Sequence, residues 1–510
     1  MIISLSVLVI TIIVSGTYAL YKAQLSKNIG VNTTTHGLAY YINYVKGTDI
    51  TAATLNPSTS YEGGASSDIE FWKKDDSYDI YGKIELTVNT IGTNLSNSPA
   101  LKYAVVNNGN VLKEGSLKGT TSGSKVTILK NLYLEQTKQI YTVYVWLDNS
   151  EELGNISNES LSISVDCTAS LQKEPTAADT IISLYTSAAK VTATNNSITY
   201  NTAPSVSLMN DRLGGTTTSL DGGNIRYYGA SPNNYIYFNC SDYSNQTSST
   251  CETWRIIGVF DGKLKLIRGS QIGTYSWDNK NISTGAEDDR GKNDWTTARL
   301  MKLLNPDDYY INDNNDKDSA GNYLGYSLYY NSASGMCFTD EGVNYSACDF
   351  TSTGIKNDET RNMIAETTYN LGGWNDTGVY PNEIYEYERG TTVYTGRPTT
   401  WTGKIALAYP SDYGYAADLN QCKQTLANYD NSTCTSNNWM KAIITDNGSN
   451  HGWLLTPDSS YSFSAWYSHG NVGEYFTGAA RGAVPVLSLS SKLGIESGDG
   501  SSSNPYKLSA

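Results

Sequence analysis

Alternation of apolar and polar side chains along residues 28–167 is the feature that most restricts how this chain can fold. In residues 83–88 and again in 160–166, every second side chain is apolar and those between are polar. Successive side chains of a β-strand point to opposite faces, so this period of two predicts strands with one buried face. Residues 101–106 and 141–147 supply further strands. Several short strands without a helical stretch predict a β-sandwich.

The second part of the chain, residues 205–510, mixes strand and helix patterns. Strands are predicted at 225–228 and 235–238, and the closing strand at 482–489. Two apolar runs joined by an Asp-Gly turn in residues 254–268 predict a β-hairpin, because that dipeptide accepts the positive φ angles of a tight turn. The fold class expected is therefore mostly β, with an α+β second domain.

Helices are expected at three places. Residues 294–305 would begin with Asp294 as N-cap, and a second helix would cover 358–371. Residues 168–204 combine small polar residues with one short amphipathic stretch at 177–190, which predicts a linker that carries a helix.

The first 27 residues read as a signal or a membrane-anchor helix. No charge occurs before Lys22, and residues 2–14 form an apolar core long enough for either role. The small-residue stretch Thr17-Tyr18-Ala19 could be cleaved. The sequence leaves open whether the segment is removed or kept as an anchor.

Six of the seven cysteines fall into three sequential pairs with ten, ten and eleven residues between partners. The pairs are Cys240 with Cys251, Cys337 with Cys348, and Cys422 with Cys434. Short, regular spacing predicts three local disulfides, which persist only in an oxidising compartment; buried thiols are the alternative. Cys167 is left over, either free or bonded between chains. The pattern predicts an extracellular protein.

Composition narrows the partners. Lys and Arg number 36 against 50 Asp and Glu, a formal charge of -14, and no basic run exists to neutralise a phosphate backbone. Nucleic acid is therefore not expected as a partner. The 40 tyrosines and the low charged fraction of 17% are typical of extracellular β-rich proteins, whose partners are glycans or other proteins.

Recognisable catalytic motifs are missing from the sequence. It holds no nucleophile elbow, zinc-protease helix or phosphate-binding loop, and its three histidines limit nucleophile activation to His451 or His469 in the second domain. Carboxylate pairs for glycoside cleavage could be drawn from acidic residues of one region. These are Glu383, Glu386, Glu388 and Asp412. A non-enzymatic protein is expected, with a secreted hydrolase as the third alternative.

One acidic loop could bind Ca²⁺. It offers oxygen ligands at alternate positions, as that hard cation prefers. The ligands would be Asn312, Asn314, Asp316 and Asp318. The loop lacks the glycine and the late glutamate of the helix-loop-helix calcium site, so a solvated loop is the favoured interpretation. No other cofactor is expected.

The segment 459–481 is the predicted ligand-binding site. Its aromatic residues stand among Ser, Gly and Asn, a composition typical of binding loops, in which rigid rings give contact area at low entropic cost. The candidate ligand-binding residues are Tyr461, Phe463, Trp466, Tyr467, His469 and Tyr475. Trp466 and Tyr467 are the expected anchors. The alternative is that these aromatic residues pack a core sheet.

Two resemblances follow from these motifs. The stretch Thr17-Tyr18-Ala19, followed by a sandwich that ends in YTVYVWLD (141–148), resembles the camelysin and TasA-like surface proteins of Gram-positive bacteria. Residues 205–510 resemble an uncharacterised domain of gut-bacterial surface proteins, which is similar to C-type-lectin-like domains of the formylglycine-generating-enzyme type, including those diversified by retroelements. That second resemblance rests on YYGASPNNY (227–235), WRIIGVF (254–260), YPSDYGY (409–415), WLLTP (453–457) and GDGSSSNPY (498–506).

The resemblances imply a bacterial cell-surface protein whose sandwich is a stalk and whose second domain binds an extracellular glycan or protein. The main alternative is a structural subunit of a surface filament or matrix, held together by strand edges of the first domain.

Overall fold

The computed structural model divides the chain into two compact units, Met1–Glu174 and Pro175–Ala510. The residues it describes are 23–24, 41–51, 55–151, 153–156, 158–212, 223–279, 285–286, 290–306, 328–331, 336–337, 346–347, 349–448 and 450–509.

Strands dominate the first unit. They are β1 (Ala23–Gln24), β2 (Ile42–Val45), β3 (Ile50–Thr51), β4 (Pro57–Ser58), β5 (Ala65–Lys73), β6 (Tyr81–Ile91), β7 (Leu101–Asn107), β8 (Asn110–Ser116), β9 (Lys125–Tyr133), β10 (Ile140–Asp148) and β11 (Leu161–Ser170). One short helix, α1 (Thr93–Asn97), interrupts them, although the sequence patterns indicated strands alone.

These strands form two sheets in a sandwich-like arrangement around one apolar core. One sheet has the order β1-β11-β6-β9, with β3 also on β11; the other has the order β2-β5-β10-β7-β8, with β4 also on β10. The alternation predicts the buried face correctly, because Ile84, Leu86 and Val88 of β6 have no exposed surface and neither have Val143 and Val145 of β10. The mainly β prediction is confirmed.

The second unit contains the remaining strands and most of the helices. Its strands are β12 (Val191–Asn195), β13 (Ile198–Ala203), β14 (Leu208–Asn210), β15 (Ile225–Tyr227), β16 (Tyr235–Phe238), β17 (Glu252–Phe260), β18 (Lys263–Arg268), β19 (Thr274–Ser276), β20 (Met336–Cys337), β21 (Ser346–Ala347), β22 (Thr367–Asn370), β23 (Thr400–Gly403), β24 (Ile405–Ala406), β25 (Gly452–Pro457), β26 (Ser464–Ser468), β27 (Val472–Phe476), β28 (Ala480–Gly482), β29 (Val486–Ser488), β30 (Gly494–Ser497) and β31 (Lys507–Ser509). Its helices are α2 (Ala177–Ser187), α3 (Arg299–Leu304), α4 (Asp358–Met363), α5 (Pro381–Glu388), α6 (Pro410–Tyr415), α7 (Ser432–Ser436) and α8 (Lys441–Ile444).

Two sheets organise this unit. The larger has the order β12-β13-β14-β15-β17-β18-β29-β24, with β16 on β17, and the smaller has the order β19-β28-β25-β26-β27. The predicted hairpin is β17 and β18, and its turn residues Asp261 and Gly262 have φ angles of 48° and 70°. Both angles lie in the left-handed region that this type of turn requires.

Two helix predictions are partly wrong. Helix α3 begins at Arg299 rather than after Asp294, whose Oδ1 accepts instead from the backbone of Thr296 in a local turn. Trp295 packs 5.0 Å from Trp277 in the core, and residues 295–297 form a hydrogen-bonded turn ahead of the helix.

The second of these helices, α4, ends at Met363, and the rest of the predicted stretch contains strand β22. Two threonines open β22 at residues 367 and 368, and β-branched side chains favour strands.

The predicted closing strand is two strands in different sheets. Strand β28 ends at Gly482 in the smaller sheet, and β29 begins at Val486 in the larger one. Pro485 stands between them and has no N–H to donate to a ladder.

The segment at 168–204 is divided between the units. Strand β11 runs to Ser170, while α2 contributes Ala178, Ile181 and Tyr185 to the core of the second unit. Strands β12 and β13 follow in the larger sheet.

Of the predicted N-terminal helix, only Ala23 and Gln24 are described, and they pair with β11 as β1. The rest of residues 1–27 lies outside the described residues. Within the described ranges, no helix combines the length and the apolar content needed to cross a bilayer.

Two of the three predicted disulfides are present, Cys240–Cys251 and Cys422–Cys434. The third pairing stays a prediction, because Cys348 lies outside the described residues. Cys167 is a buried free thiol. Disulfides indicate an oxidising, extracellular environment.

Candidate ligand-binding site

Strands β26 and β27 form an antiparallel pair that places the aromatic residues on two different faces. Tyr467 pairs with Gly473 and Ala465 pairs with Tyr475, so the two tyrosines share one face of the sheet. Trp466 pairs with Glu474 on the opposite face. The period of two along each strand therefore separates the two residues expected to act together as anchors.

Trp466 is a core residue. Its side chain has no exposed surface, and its Nε1 donates a hydrogen bond to the backbone oxygen of Trp374 at 3.1 Å. It packs with Leu454 and Val472 in an apolar cluster. Trp466 therefore offers no exposed surface to a ligand, because strand alternation turns its ring inward while it turns Tyr467 toward the other face.

Three rings form a partly exposed surface around Tyr467. The ring of His451 lies 5.3 Å from that of Tyr467 at an interplanar angle of 17°, and the ring of His469 lies 5.9 Å away at 18°. The two histidine rings are 4.6 Å apart. The ring of Tyr475 lies 6.2 Å from that of Tyr467. We call the group of His451, Tyr467, His469, Tyr475 and Arg481 the Tyr467 platform.

Arg481, on β28, holds the platform together. The central carbon of its guanidinium lies 4.2 Å from the ring centre of Tyr467 and 4.4 Å from that of Tyr475. Its Nη1 is 2.6 Å from Nδ1 of His451. Because a guanidinium can only donate, Nδ1 is the acceptor and the neutral imidazole carries its proton on Nε2.

The electrostatics of the platform follow from this packing. Burial lowers the pKa of Arg481, while the two tyrosines act in the opposite direction. Burial also lowers the pKa of His451, and the positive charge of Arg481 and the proximity of His469 lower it further. Arg481 thus supplies the fixed positive charge of the platform, beside an imidazole that favours its neutral form.

Tyr461 and Phe463 form a separate pair. Their ring centres are 5.7 Å apart, and Tyr461 is 55% exposed. The guanidinium of Arg290 lies 3.7 Å from the ring of Phe463. The six candidate residues therefore fall into three groups: Tyr467, His469 and Tyr475 on the platform, Tyr461 with Phe463, and Trp466 in the core.

The carboxylates considered for glycoside cleavage have structural partners. Asp412 is buried and pairs with Arg226 at 2.9 Å and with Lys265. Glu388 is buried too, beside Arg389 and the backbone N–H of Ser411.

The other two of these carboxylates lie on α5: Glu383 accepts the backbone N–H of Tyr380 at 2.8 Å, and Glu386 is exposed. Glu388 and Asp412 have no surface that a sugar could reach, so these two residues cannot act as a catalytic pair in this arrangement.

The proposed calcium ligands Asn312, Asn314, Asp316 and Asp318 lie outside the described residues. Among the residues that are described, no group of three or more His, Cys, Asp or Glu side chains is arranged to hold a metal ion.

Sequence reasoning considered His451 only for nucleophile activation and Arg481 only as the end of the predicted binding segment, so neither was named as a ligand-binding residue. They meet because Gly452 and Gly482 pair in parallel between β25 and β28, which brings the residue before each glycine close together. That pairing joins positions thirty residues apart. The local signal for Arg481 was its place directly before the predicted closing strand.

No protein-family model and no curated protein matches the chain. Among solved structures, an acetyl xylan esterase (Est2A) from the rumen bacterium Butyrivibrio proteoclasticus is 11% identical, with a TM-score of 0.14 over 27% of this chain and 35% of the esterase. The HCR/D W1238A mutant is 11% identical, with a TM-score of 0.15 over 53% of this chain and 77% of its own. TM-scores this low do not indicate a common fold.

Proposed function

We propose that this protein is a non-enzymatic surface protein that binds an extracellular glycan or protein ligand on the Tyr467 platform. The observation that carries the proposal is the group of three neighbouring, partly exposed rings of His451, Tyr467 and His469, in which each histidine ring is inclined by less than 20° to the ring of Tyr467.

The platform is suited to binding because its rings are already held in place. Tyr467 lies in a paired strand, and the residue before it, Trp466, is buried in the core. Arg481 packs against the ring of Tyr467. A ligand therefore meets aromatic rings that lose little conformational entropy on binding. Ligand stacking on such rings needs no catalytic group.

Export supports a surface role. The two disulfides need an oxidising compartment. The apolar segment before Lys22 supplies either a signal or an anchor. On this proposal the first unit is a stalk and the second unit carries the ligand site. The resemblances to bacterial surface proteins agree with this division, and they remain predictions.

The test is a glycan and cell-surface protein array probed with the full chain and two variants. Tyr467→Ala should abolish saturable binding, because it removes the central ring of the platform. Tyr461→Ala is the matched control, since it removes an equally large exposed ring from the same segment but outside the platform. Equal loss of binding in both variants, or no saturable binding of the parent, contradicts the proposal.

A second candidate function is a building block of a surface filament. Strand β8 borders its sheet in the described part of the first unit, and it exposes Val111 at 43% and Leu112 at 37%. Exposed apolar edge strands promote pairing between chains. Fibres that form from purified protein without ligand, and that disappear in Val111→Lys, would favour this function over ligand binding by a monomer.

A further inference from the structure

We propose that the ligand of the Tyr467 platform is an acidic sugar, whose carboxylate or sulfate group binds Arg481 while its ring stacks on the aromatic surface. This inference rests on the proposed binding function and specifies its ligand class. It starts from one electrostatic fact: the guanidinium of Arg481 has no carboxylate partner among the described residues.

The charge of Arg481 is not compensated by its neighbours. Its contacts are the ring faces of Tyr467 and Tyr475 and the acceptor nitrogen of His451, all of which are uncharged. Buried Arg226, by contrast, pairs with two carboxylates, those of Asp211 and Asp412. Partly burying an uncompensated cation is unfavourable unless something else supplies the negative charge.

The acidic residue nearest to Arg481 in the sequence, Glu474, lies on the other face of the sheet. Glu474 precedes Tyr475, but it pairs across the strands with Trp466 and interacts with Asp458 and Asp376. Strand alternation thus removes this carboxylate from the platform. The negative charge that Arg481 lacks is accordingly expected from a ligand.

Arg481 has hydrogen-bond donors that its neighbours among the described residues leave unused. Nη1 donates a hydrogen bond to His451, and Nε is buried with no acceptor among the described residues. The two hydrogens of Nη2 are left for an incoming oxygen, and exposed His469 can add another donor. Hydrogen bonds between a charged donor and a charged acceptor are about twice as strong as neutral ones, so one anionic group would dominate recognition.

The aromatic rings favour a sugar over an acidic peptide. The ring planes of His451 and His469 are inclined by 17° and 18° to the ring plane of Tyr467, and by 35° to each other. The C–H groups on one face of a pyranose pack well against the exposed face of an aromatic ring. A sugar that carries an acidic group at its edge would therefore satisfy the rings and the cation together.

The experiment titrates the full chain by calorimetry with three tetrasaccharides. Unsulfated chondroitin carries carboxylates, keratan sulfate carries sulfates without carboxylates, and desulfated keratan is neutral. We expect at least one acidic sugar to bind about tenfold or more tightly than the neutral one, which corresponds to about 1.4 kcal/mol. The acidic member that binds identifies carboxylate or sulfate as the recognised group.

Two variants assign the preference to Arg481. Arg481→Gln should reduce the ratio between acidic and neutral sugar to about one, whereas Arg481→Lys should keep part of it, since the charge remains but the planar fork is lost. Melting temperatures report whether each variant folds. In the parent protein, a higher salt concentration should weaken the binding of the acidic sugar and leave the binding of the neutral sugar unchanged. This tests the role of the charge without any substitution.

Equal affinity for neutral and acidic sugars, or an unchanged ratio in Arg481→Gln, would overturn the acidic-sugar inference and leave the proposed binding function standing. Binding of poly-glutamate with no binding of any sugar would also overturn it, in favour of an acidic protein ligand. Absence of all saturable binding on the array would instead remove the proposed function itself.

Discussion

Nη1 of Arg481 lies 2.6 Å from Nδ1 of His451, and this contact joins two residues that are thirty positions apart in the chain. It fixes the tautomer of the imidazole and brings a fixed positive charge beside a titratable ring. The acid-base behaviour of the platform therefore depends on Arg481.

The first prediction concerns the titration of His451. Because burial, Arg481 and His469 all lower its pKa, it should titrate below the usual value of about 6.5. Arg481→Gln should raise that pKa, since it removes the neighbouring charge. NMR titration of the imidazole signals measures both, and Arg361→Gln, whose cation pairs with Asp358 elsewhere, is the control.

The sign of the stability effect follows. Because folding lowers the pKa of His451, this side chain favours the folded state at pH values above its pKa in the unfolded chain. That stabilisation is lost as the pH falls through its pKa in the folded protein. A His451 pKa above 6.5 in the parent protein would contradict the assignment of Nδ1 as acceptor.

The second prediction separates the core tryptophan from the platform tyrosine. Trp466→Ala should lower the free energy of unfolding by about 3–5 kcal/mol, the usual loss for a buried large aromatic side chain. Tyr467→Ala removes a partly exposed ring and should lower it by less, while it abolishes ligand binding. Urea denaturation of both variants measures the difference. A larger stability loss for Tyr467→Ala than for Trp466→Ala would assign Tyr467 to the core.

The third prediction concerns the disulfides. Peptide mapping without reductant should find Cys240 linked to Cys251 and Cys422 linked to Cys434, as in the structure. The link between Cys337 and Cys348 is predicted from spacing. Replacing Cys422 and Cys434 together by alanine should lower the free energy of unfolding by about 3 kcal/mol, because the unfolded chain gains freedom. Linkages that cross between pairs would contradict the local pattern.

The fourth prediction concerns the pH dependence of stability at Glu388. Burial raises the pKa of this carboxyl group to about 7, against the partial compensation of Arg389 and Ser411. The folded state therefore holds a proton that the unfolded state releases above pH 4.5 or so. Glu388 therefore makes its whole contribution to the free energy of unfolding, about 3 kcal/mol, below that pH. The contribution is lost as the pH rises through about 7.

Glu388→Gln should remove this slope, so its stability should rise relative to the parent between about pH 5 and pH 8. Exposed Glu386→Gln on the same helix is the control and should follow the parent. Parallel stability curves for Glu388→Gln and the parent would show that Glu388 is ionised in the folded protein across this range.

The fifth prediction concerns Cys167. Burial strongly raises the pKa of its thiol, and the neighbouring Asp166 and Glu85 raise it further. The native protein should therefore resist alkylation by iodoacetamide at this position, because the thiolate is the reactive form. Unfolding in urea should make it reactive. Rapid labelling of the native protein would mean that Cys167 is accessible.

The sequence by itself determined the local features of this protein. Alternating residues such as Ile84, Leu86 and Val88 identified the strands and their buried faces, because side chains on a strand alternate whatever the strand packs against. The Asp261-Gly262 turn and the two observed disulfides were also predictable, since each depends on residues close together in the chain.

Only the tertiary structure decided which aromatic side chains face solvent. Trp466 and Tyr467 are neighbours in the chain, yet the ring of Trp466 is fully buried in one apolar cluster while the ring of Tyr467 packs against another and stays partly exposed, because the elements on the two faces of their sheet cover them to different extents. The partnership of His451 and Arg481 likewise depends on the parallel pairing of β25 with β28. Contacts between distant strands are set by how the sheets assemble, which no local pattern of residues encodes.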